Sequence, residues 1–514
     1  MSILSDLENK FLLQPSEVST VFPIHSGNTI VTPLIDGIPY FTRVYEAMQA
    51  CRNSQDAIYI VNWVFDDLFH LPPDDEVLGQ FLVAQAGKGV DVRVLVSVPR
   101  WFIGNMTAGA TNLSETLLNI FNWMADTALP GFVRNQVQAT ARAARRLRQL
   151  GPPSCPLSDR VLMDWSGLQS HHAKYIIVKT GDELTAFTSG MDFKPDRLDV
   201  PEHPYIPGWH DAGVELYGEA ALSFWEDFQN RWQECASLPG IFMQLEEETG
   251  PELFNGAAVA PAPVPVPKPQ ISPMTSVQIL RSYPKEKILK MWGEGRNTTW
   301  QHLPVGGVKE ILAGMKKAIG QAQNYIYIEC QTLNLGNSLF KMHESLFPSL
   351  VAAINRGVKV IFVTSGYKAP DAPLPDGPYN TAPSAEVQQS IINQIQPGNN
   401  NFVMYRLNDL IVHAKIILID DVFLAIGSAN FWDTSMKGLE SEVHAFIVDA
   451  GTLIRHFRVQ LWKEHVYLDP ADPTYSYLIP DLQDLSRALS LWRHEWGTGI
   501  RFTAPGPALV RISP

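Results

Sequence analysis

Two stretches of the chain alternate polar and apolar positions with the period of a β-strand, and in each the polar positions are a histidine and a lysine. In "VHAKIILID" (412 to 420) His413 and Lys415 share one face while Ala414, Ile416 and Leu418 share the other. In "HHAKYIIVKT" (171 to 180) His172 and Lys174 alternate in the same way with apolar positions that include Ile176 and Val178. Apolar residues on both sides predict strands buried on both faces, where an ammonium is costly unless something anionic meets it. A small-residue turn follows each strand, Ser189-Gly190-Met191-Asp192 in one case and Gly427-Ser428-Ala429-Asn430 in the other.

Other apolar runs repeat as well. "AIYIVNWVF" (57 to 65) matches "YIYIECQTL" (325 to 333), and "GKGVDVRVLVS" (87 to 97) matches "NRGVKVIFVTS" (355 to 365). Tyr59 to Tyr327 and Gly89 to Gly357 are both 268 residues apart. "RWQE" (231 to 234) and "LWKE" (461 to 464) close the two halves with helical segments. A single HxK strand would read as a core histidine with Lys415 paired to Asp420; its repetition favours a site made from both copies. Between the halves, "NGAAVAPAPVPVPKPQ" (255 to 270) alternates Pro with small residues and predicts an extended linker. The expected organisation is one half over 1–254, a linker over 255–270 and a second half over 271–514. Strands alternating with helices make the class α/β, each half a mixed sheet flanked by helices.

Composition narrows the function. The 514 residues are 45% hydrophobic and 18% charged, enough for two cores of ordinary globular size. Cys51, Cys155, Cys235 and Cys330 lack metal-ligand spacing, so neither a zinc site nor a disulfide framework is expected, and no metal or cofactor is anticipated. No apolar run approaches the ~20 residues of a membrane span, and "MSILSDLENKFLLQPSEV" does not read as a secretory signal. That fits a cytoplasmic protein or one exported without such a signal. A formal net charge of −13 argues against a general nucleic-acid binder.

The residues His413-x-Lys415-x4-Asp420-x6-Gly427-Ser428-x-Asn430 resemble the HKD signature of the phospholipase D superfamily. "IYIECQ", "VQILRS" (277 to 282) and "GWHDAGVEL" (208 to 216) are similar to segments of its phospholipase branch. The resemblance implies two halves related by a pseudo-twofold axis with the active site between them, and because both halves lie in one chain a monomer is expected. It implies metal-free cleavage of a phosphodiester through a phosphohistidine, with His172 as nucleophile, His413 as acid, and Lys174, Lys415, Ser428 and Asn430 on phosphate oxygens. Asp192 and Asp420 would support the two motifs. Each imidazole also needs a carboxylate to fix its tautomer, and Asp211 and Glu442, at comparable places in the two halves, are the candidates. The expected substrate is a glycerophospholipid headgroup, hydrolysed or transferred to an alcohol; the alternative is a nuclease or nucleic-acid-adduct phosphodiesterase on the same scaffold.

The first motif departs from the signature. Lys179 stands where its Asp should be, and Asp182 in a longer turn is the candidate substitute; Asp192 replaces the Asn, and in the second half Thr434 replaces a common arginine. "PRWFIGNM" (99 to 106), "FNWMADTALPGF" (121 to 132) and the arginines 142, 145, 146 and 148 suit peripheral membrane contact or an anionic substrate entrance. They suit equally a helical hairpin packing its aromatics inward. The Pro-rich stretch 367–389 has the character of a substrate-covering loop.

Overall fold

The computed structural model describes residues 2–97, 131–151, 157–164, 171–201, 203–204, 208–237, 241–243, 252–254, 258–284, 302, 304, 306–331, 346–365, 389–407, 410–465, 480–492 and 509–511. Seven strands of the first half form one sheet: β1 (Thr29–Ile35), β2 (Ala57–Asn62), β3 (Asp91–Ser97), β4 (Val161–Asp164), β5 (Tyr175–Thr180), β6 (Glu183–Ser189) and β7 (Ala212–Gly218). Their order across the sheet is β1-β7-β6-β5-β2-β3-β4.

The second half supplies β8 (Thr275–Tyr283), β9 (Tyr325–Glu329), β10 (Lys359–Ser365), β11 (Phe402–Leu407), β12 (Ile416–Ile419), β13 (Phe423–Gly427) and β14 (Glu442–Asp449). These run β8-β14-β13-β12-β9-β10-β11, the same order strand for strand, with short strands added at the edges. The registers repeat too: β2 is parallel to β3 and antiparallel to β5, and β9 is parallel to β10 and antiparallel to β12.

The apolar pattern explains how the sheets are placed. Tyr59 and Val61 of β2 and Tyr327 of β9 enter one continuous core that draws on both halves. Their strand neighbours Ile58 and Ile60 face a separate outer core of the first half, and Ile326 and Ile328 that of the second. Helices Ala221–Ser237 and Leu453–His465 add Trp225, Trp232 and Trp462 to the shared core. Each central strand is thus buried on both faces, as its unbroken apolar run requires.

Residues 258–270 run extended along the first half, as their Pro-rich pattern predicts. The stretch is fastened: Val259 O accepts from Trp232 Nε1 at 2.9 Å, Ala260 O from Arg93 Nη2 at 2.8 Å and Ala262 O from Gln229 Nε2 at 2.6 Å. The arginine-bearing segment is a helix, Gly131–Leu150, that buries Ala141, Ala144 and Leu147 against the first half and pairs Arg146 with Asp67. The aromatic stretches 99–106 and 121–130, Cys155, and residues 367–388 lie outside the described residues. Cys51, Cys235 and Cys330 are buried and form no disulfide among the described residues. No described helix is long and apolar enough to cross a membrane.

Candidate active site

Each histidine strand begins where it meets the other half. The segment Gly208–His210 lies parallel to Leu410–Val412, and His413 N donates to His210 O at 2.7 Å. Reciprocally, His171 bridges to Ser441 and His172 N donates to Ser441 O at 2.8 Å. These exchanged segments end one residue before Asp211 and Glu442. The carboxylates therefore cross over: His172 Nδ1 lies 3.0 Å from Glu442 Oε1, and His413 Nδ1 lies 2.7 Å from Asp211 Oδ2. Each half supplies an imidazole to one pair and a carboxylate to the other.

The lysines two residues on are buried beside them. Lys174 Nζ donates to His172 O at 2.9 Å and sits 3.8 Å from Asp192 Oδ1; Lys415 Nζ donates to His413 O. Lys415 does not pair with Asp420. Asp420 lies at the far end of its hairpin, where its carboxylate accepts from the amides of Gln323, Asn324 and Tyr325. That fixes the start of β9 and leaves the residue no phosphate contact.

The first half solves the same problem from the opposite strand. Asp56, just before β2, accepts from Arg52 N and Asn53 N with Oδ2 and from Gly181 N with Oδ1. Asp182, the expected substitute, takes no such part; its backbone carbonyl accepts from Lys268 N. Lys179 reaches Gln55 O, away from the histidines.

The small-residue turns differ between the halves. Ser428 Oγ donates to Glu442 Oε2 at 2.6 Å, and Ser435 Oγ to Glu442 Oε1 at 2.6 Å. Ser428, expected on a phosphate oxygen, is thus committed to the carboxylate of the His172 pair. In the first half Gly190 stands near the corresponding place. A Cβ there would lie 2.8 Å from both Asp211 carboxylate oxygens and 2.9 Å from His413 O, so only glycine admits the close approach. Asn430 is buried, and its Oδ1 has no hydrogen-bond partner among the described residues. Asp192 accepts from Val64 N at 2.9 Å through Oδ1.

Several neighbours were not foreseen from the sequence. Arg197 lies 4.0 Å from Asp192 and 3.4 Å over the Trp209 ring, which is itself 5.1 Å from the His413 ring. Trp63 lies 5.2 Å from the His172 ring. The Glu440 carboxylate, His172 and Glu442 bring one ligand-type atom each within 4.8 Å of one another. An arginine at the end of the short 3-10 helix Pro195–Arg197 and a glutamate two before the matched one carry no spacing signal; only the paired WHD and ESE segments marked this neighbourhood at all.

Burial and crowding of cations set the protonation states. Burial, then the charge of Lys174, holds His172 down to about 3, so its imidazole is neutral near neutral pH. His413 is likewise held well below the usual imidazole range by burial and then Lys415. Burial also lowers Lys415 to about 7, with Asp211 opposing, and raises Glu442 to about 7, with Lys174 and Ser428 opposing. Lys174, Lys415 and Arg197 gather beside the two imidazoles, partly balanced by Asp192 and Asp211, and offer cations to an anion placed between the histidines.

The site can be set beside known proteins. A family model described as "Cardiolipin synthase, PLD-like domain" matches residues 315–464. Phospholipase D gamma 1 of Arabidopsis thaliana is 25% identical over 388 residues, 62% of this chain and 42% of the relative. Phospholipase D alpha 4 of the same plant is 22% identical over 561 residues, 84% and 65% of the two chains. This chain thus spans about two fifths to two thirds of the length of these relatives. Among solved structures, the phosphatidylserine synthase of Haemophilus influenzae Rd KW20 is similar at a TM-score of 0.49 and 13% identity, covering 95% of this chain and 96% of that one.

Proposed function

Given that this chain belongs to the phospholipase D superfamily, we propose that it is a phosphodiesterase that cleaves a glycerophospholipid headgroup through a phosphohistidine. The observation that supports this reading is the crossed pair of imidazoles, His172 with Glu442 and His413 with Asp211, each with a buried lysine beside it. A phosphodiester repels nucleophiles, so a catalyst must neutralise its oxygens, supply a nucleophile and protonate the leaving alkoxide. Lys174, Lys415 and Asn430 are assigned to the oxygens, with Arg197 adding to the field.

Nδ1 of His172 faces Glu442, which leaves Nε2 to carry the lone pair. Nε2 attacks phosphorus; the bond to the headgroup oxygen breaks, and that oxygen takes a proton from His413 Nε2. His413 is neutral in the free protein, so it takes up a proton from solvent as the anionic substrate binds beside it, and binding is coupled to proton uptake. A water or an alcohol then attacks phosphorus and gives its proton to His413, and the P–N bond breaks. With an alcohol the product is a new diester.

The names of the plant relatives support a phospholipid substrate, and the acidic net charge disfavours nucleic acid. The test is incubation with phosphatidylcholine vesicles plus a primary alcohol and, separately, with single-stranded DNA. Release of choline with formation of the phosphatidyl alcohol is expected. Cleavage of DNA with no attack on the lipid would replace the proposal with a nuclease.

A further inference from the structure

A second buried cluster lies one residue from the proposed catalytic carboxylate Asp211. It gathers Asp36, at the start of helix Gly37–Gln49, His203 from a loop, His210 from the strand before Asp211, and Glu464 from helix Leu453–His465 of the other half. One ligand-type atom from each of the four lies within 4.8 Å of all the others. Glu464 Oε1 is 3.0 Å from His203 Nε2 and 2.7 Å from His210 Nδ1; Asp36 Oδ1 is 3.1 Å from His210 Nδ1, and its Oδ2 is 3.8 Å from His203 Nε2. Four ligands on a tetrahedral zinc with bonds of ~2.0 to 2.1 Å stand roughly 3.3 Å apart, in the middle of these separations.

Hydrogen bonding alone leaves this cluster incomplete. One ring nitrogen carries a single proton or a single lone pair, yet His210 Nδ1 faces carboxylate oxygens of both Asp36 and Glu464. Among the described residues, Asp36 Oδ2 and Glu464 Oε2 are buried without a hydrogen-bond partner. Such orphaned anionic oxygens are expensive away from water. The outer ring nitrogens are already committed: His203 Nδ1 lies 2.9 Å from Asp199, and His210 Nε2 lies 3.0 Å from Glu329. A carboxylate behind each histidine is the arrangement that orients imidazoles toward a metal and raises their basicity.

We propose that Asp36, His203, His210 and Glu464 bind one divalent transition metal of the zinc type, with Asp199 and Glu329 orienting the two histidines. The set joins both halves beside the backbone that carries Asp211 and His413, so the ion would act as a clamp rather than as a participant in phosphoryl transfer. Neutral imidazole and carboxylate in a closed four-ligand cage suit zinc or cobalt better than calcium or magnesium, which prefer more oxygens.

The full-length protein, stripped with chelator and dialysed, is titrated with Zn2+ against a chromophoric competitor and with Co2+ by visible absorption. Roughly one ion per chain is expected, with the absorption of four-coordinate cobalt, and a melting temperature that rises with free zinc. Asp199→Asn, which leaves the ligands in place, should weaken zinc binding by ~10 to 100-fold, the usual cost of losing an orienting carboxylate. His203→Gln with Glu464→Gln should abolish tight binding; if that variant does not fold, the stripped wild-type protein and Asp199→Asn still decide the matter. Uptake below ~0.1 ion per chain, or a melting temperature indifferent to chelator and zinc, would overturn the proposal and leave an imidazolium–carboxylate network in its place.

Discussion

At the scale of single residues, the two histidines were legible because they recur at matching places in both halves, but their immediate partners were not. Asp211 and Glu442 could be picked out as carboxylates in comparable segments; that each serves the other half's histidine is a property of chain crossing, invisible to spacing. Arg197, Trp63 and Glu440 reach the site from a single 3-10 turn and from bends, too short for side-chain direction to show a period. If both imidazoles carry out the chemistry, His172→Ala and His413→Ala should each lower turnover at least ~10²-fold, and the double variant should lose little more than either single one. Near-normal turnover in one single variant would remove that histidine from the mechanism. The protonation states give a second test. Glu442 is raised to about 7 by burial, and only its ionised form holds the His172 Nδ1 proton, so activity should rise with pH through that value. Lys415 is lowered to about 7, again by burial, so its charge, and with it the grip on phosphate, should be lost as pH rises further. In the complex His413 already holds its proton, so the expected kcat profile is a narrow bell centred near neutrality, and Glu442→Gln should flatten its acid limb; a kcat profile level from roughly pH 5 to 9 would contradict the assignment.

Among the elements, the hairpins that carry the histidines show how one structural need is met by different residues. The turn after each histidine strand must be tied to the start of the neighbouring antiparallel strand. Asp420 does this from the turn in the second half, and Asp56 does it from the strand start in the first. Reading the signature by position therefore made the first motif look damaged at Lys179, because the compensating carboxylate sits more than 120 residues earlier in the chain. That the central strands are buried on both faces was legible, since such burial writes an unbroken apolar run; the order of the strands across the sheet was not. Lys179→Asp should leave turnover within a few fold, as the side chain reaches Gln55 O and not the site, and should lower stability by the ~0.5 to 3 kcal/mol usual for point changes. Asp56→Ala, which abandons three backbone amides, should cost about 0.5 to 2 kcal/mol by analogy with a lost helix cap. Thermal melts beside turnover measurements check both: unchanged melting in Asp56→Ala, or a large fall in turnover in Lys179→Asp, would refute this division of labour.

Across the whole molecule, the two sheets share one core and exchange strands at the site, so neither half alone completes the pair of His172 or of His413. The fixed offset of 268 residues revealed the duplication; the buried cluster around His203 and His210 stayed hidden, because its members lie in four separate segments and show no ligand spacing. The two sites make opposite demands on a metal, and that separates them experimentally. Charge neutralisation at the proposed catalytic centre is assigned to Lys174, Lys415 and Arg197, so phosphodiester cleavage should not require a free divalent ion in the assay. A clamp metal between the halves would instead govern how long the site stays assembled. Chelator added to the assay should therefore leave the initial rate unchanged at temperatures well below melting. Prolonged stripping should lower the melting temperature, and with it the temperature at which activity fails, in parallel. Immediate and complete loss of rate on chelation, restored by a divalent ion without any change in melting, would show the metal acting on the phosphate and defeat the lysine assignment.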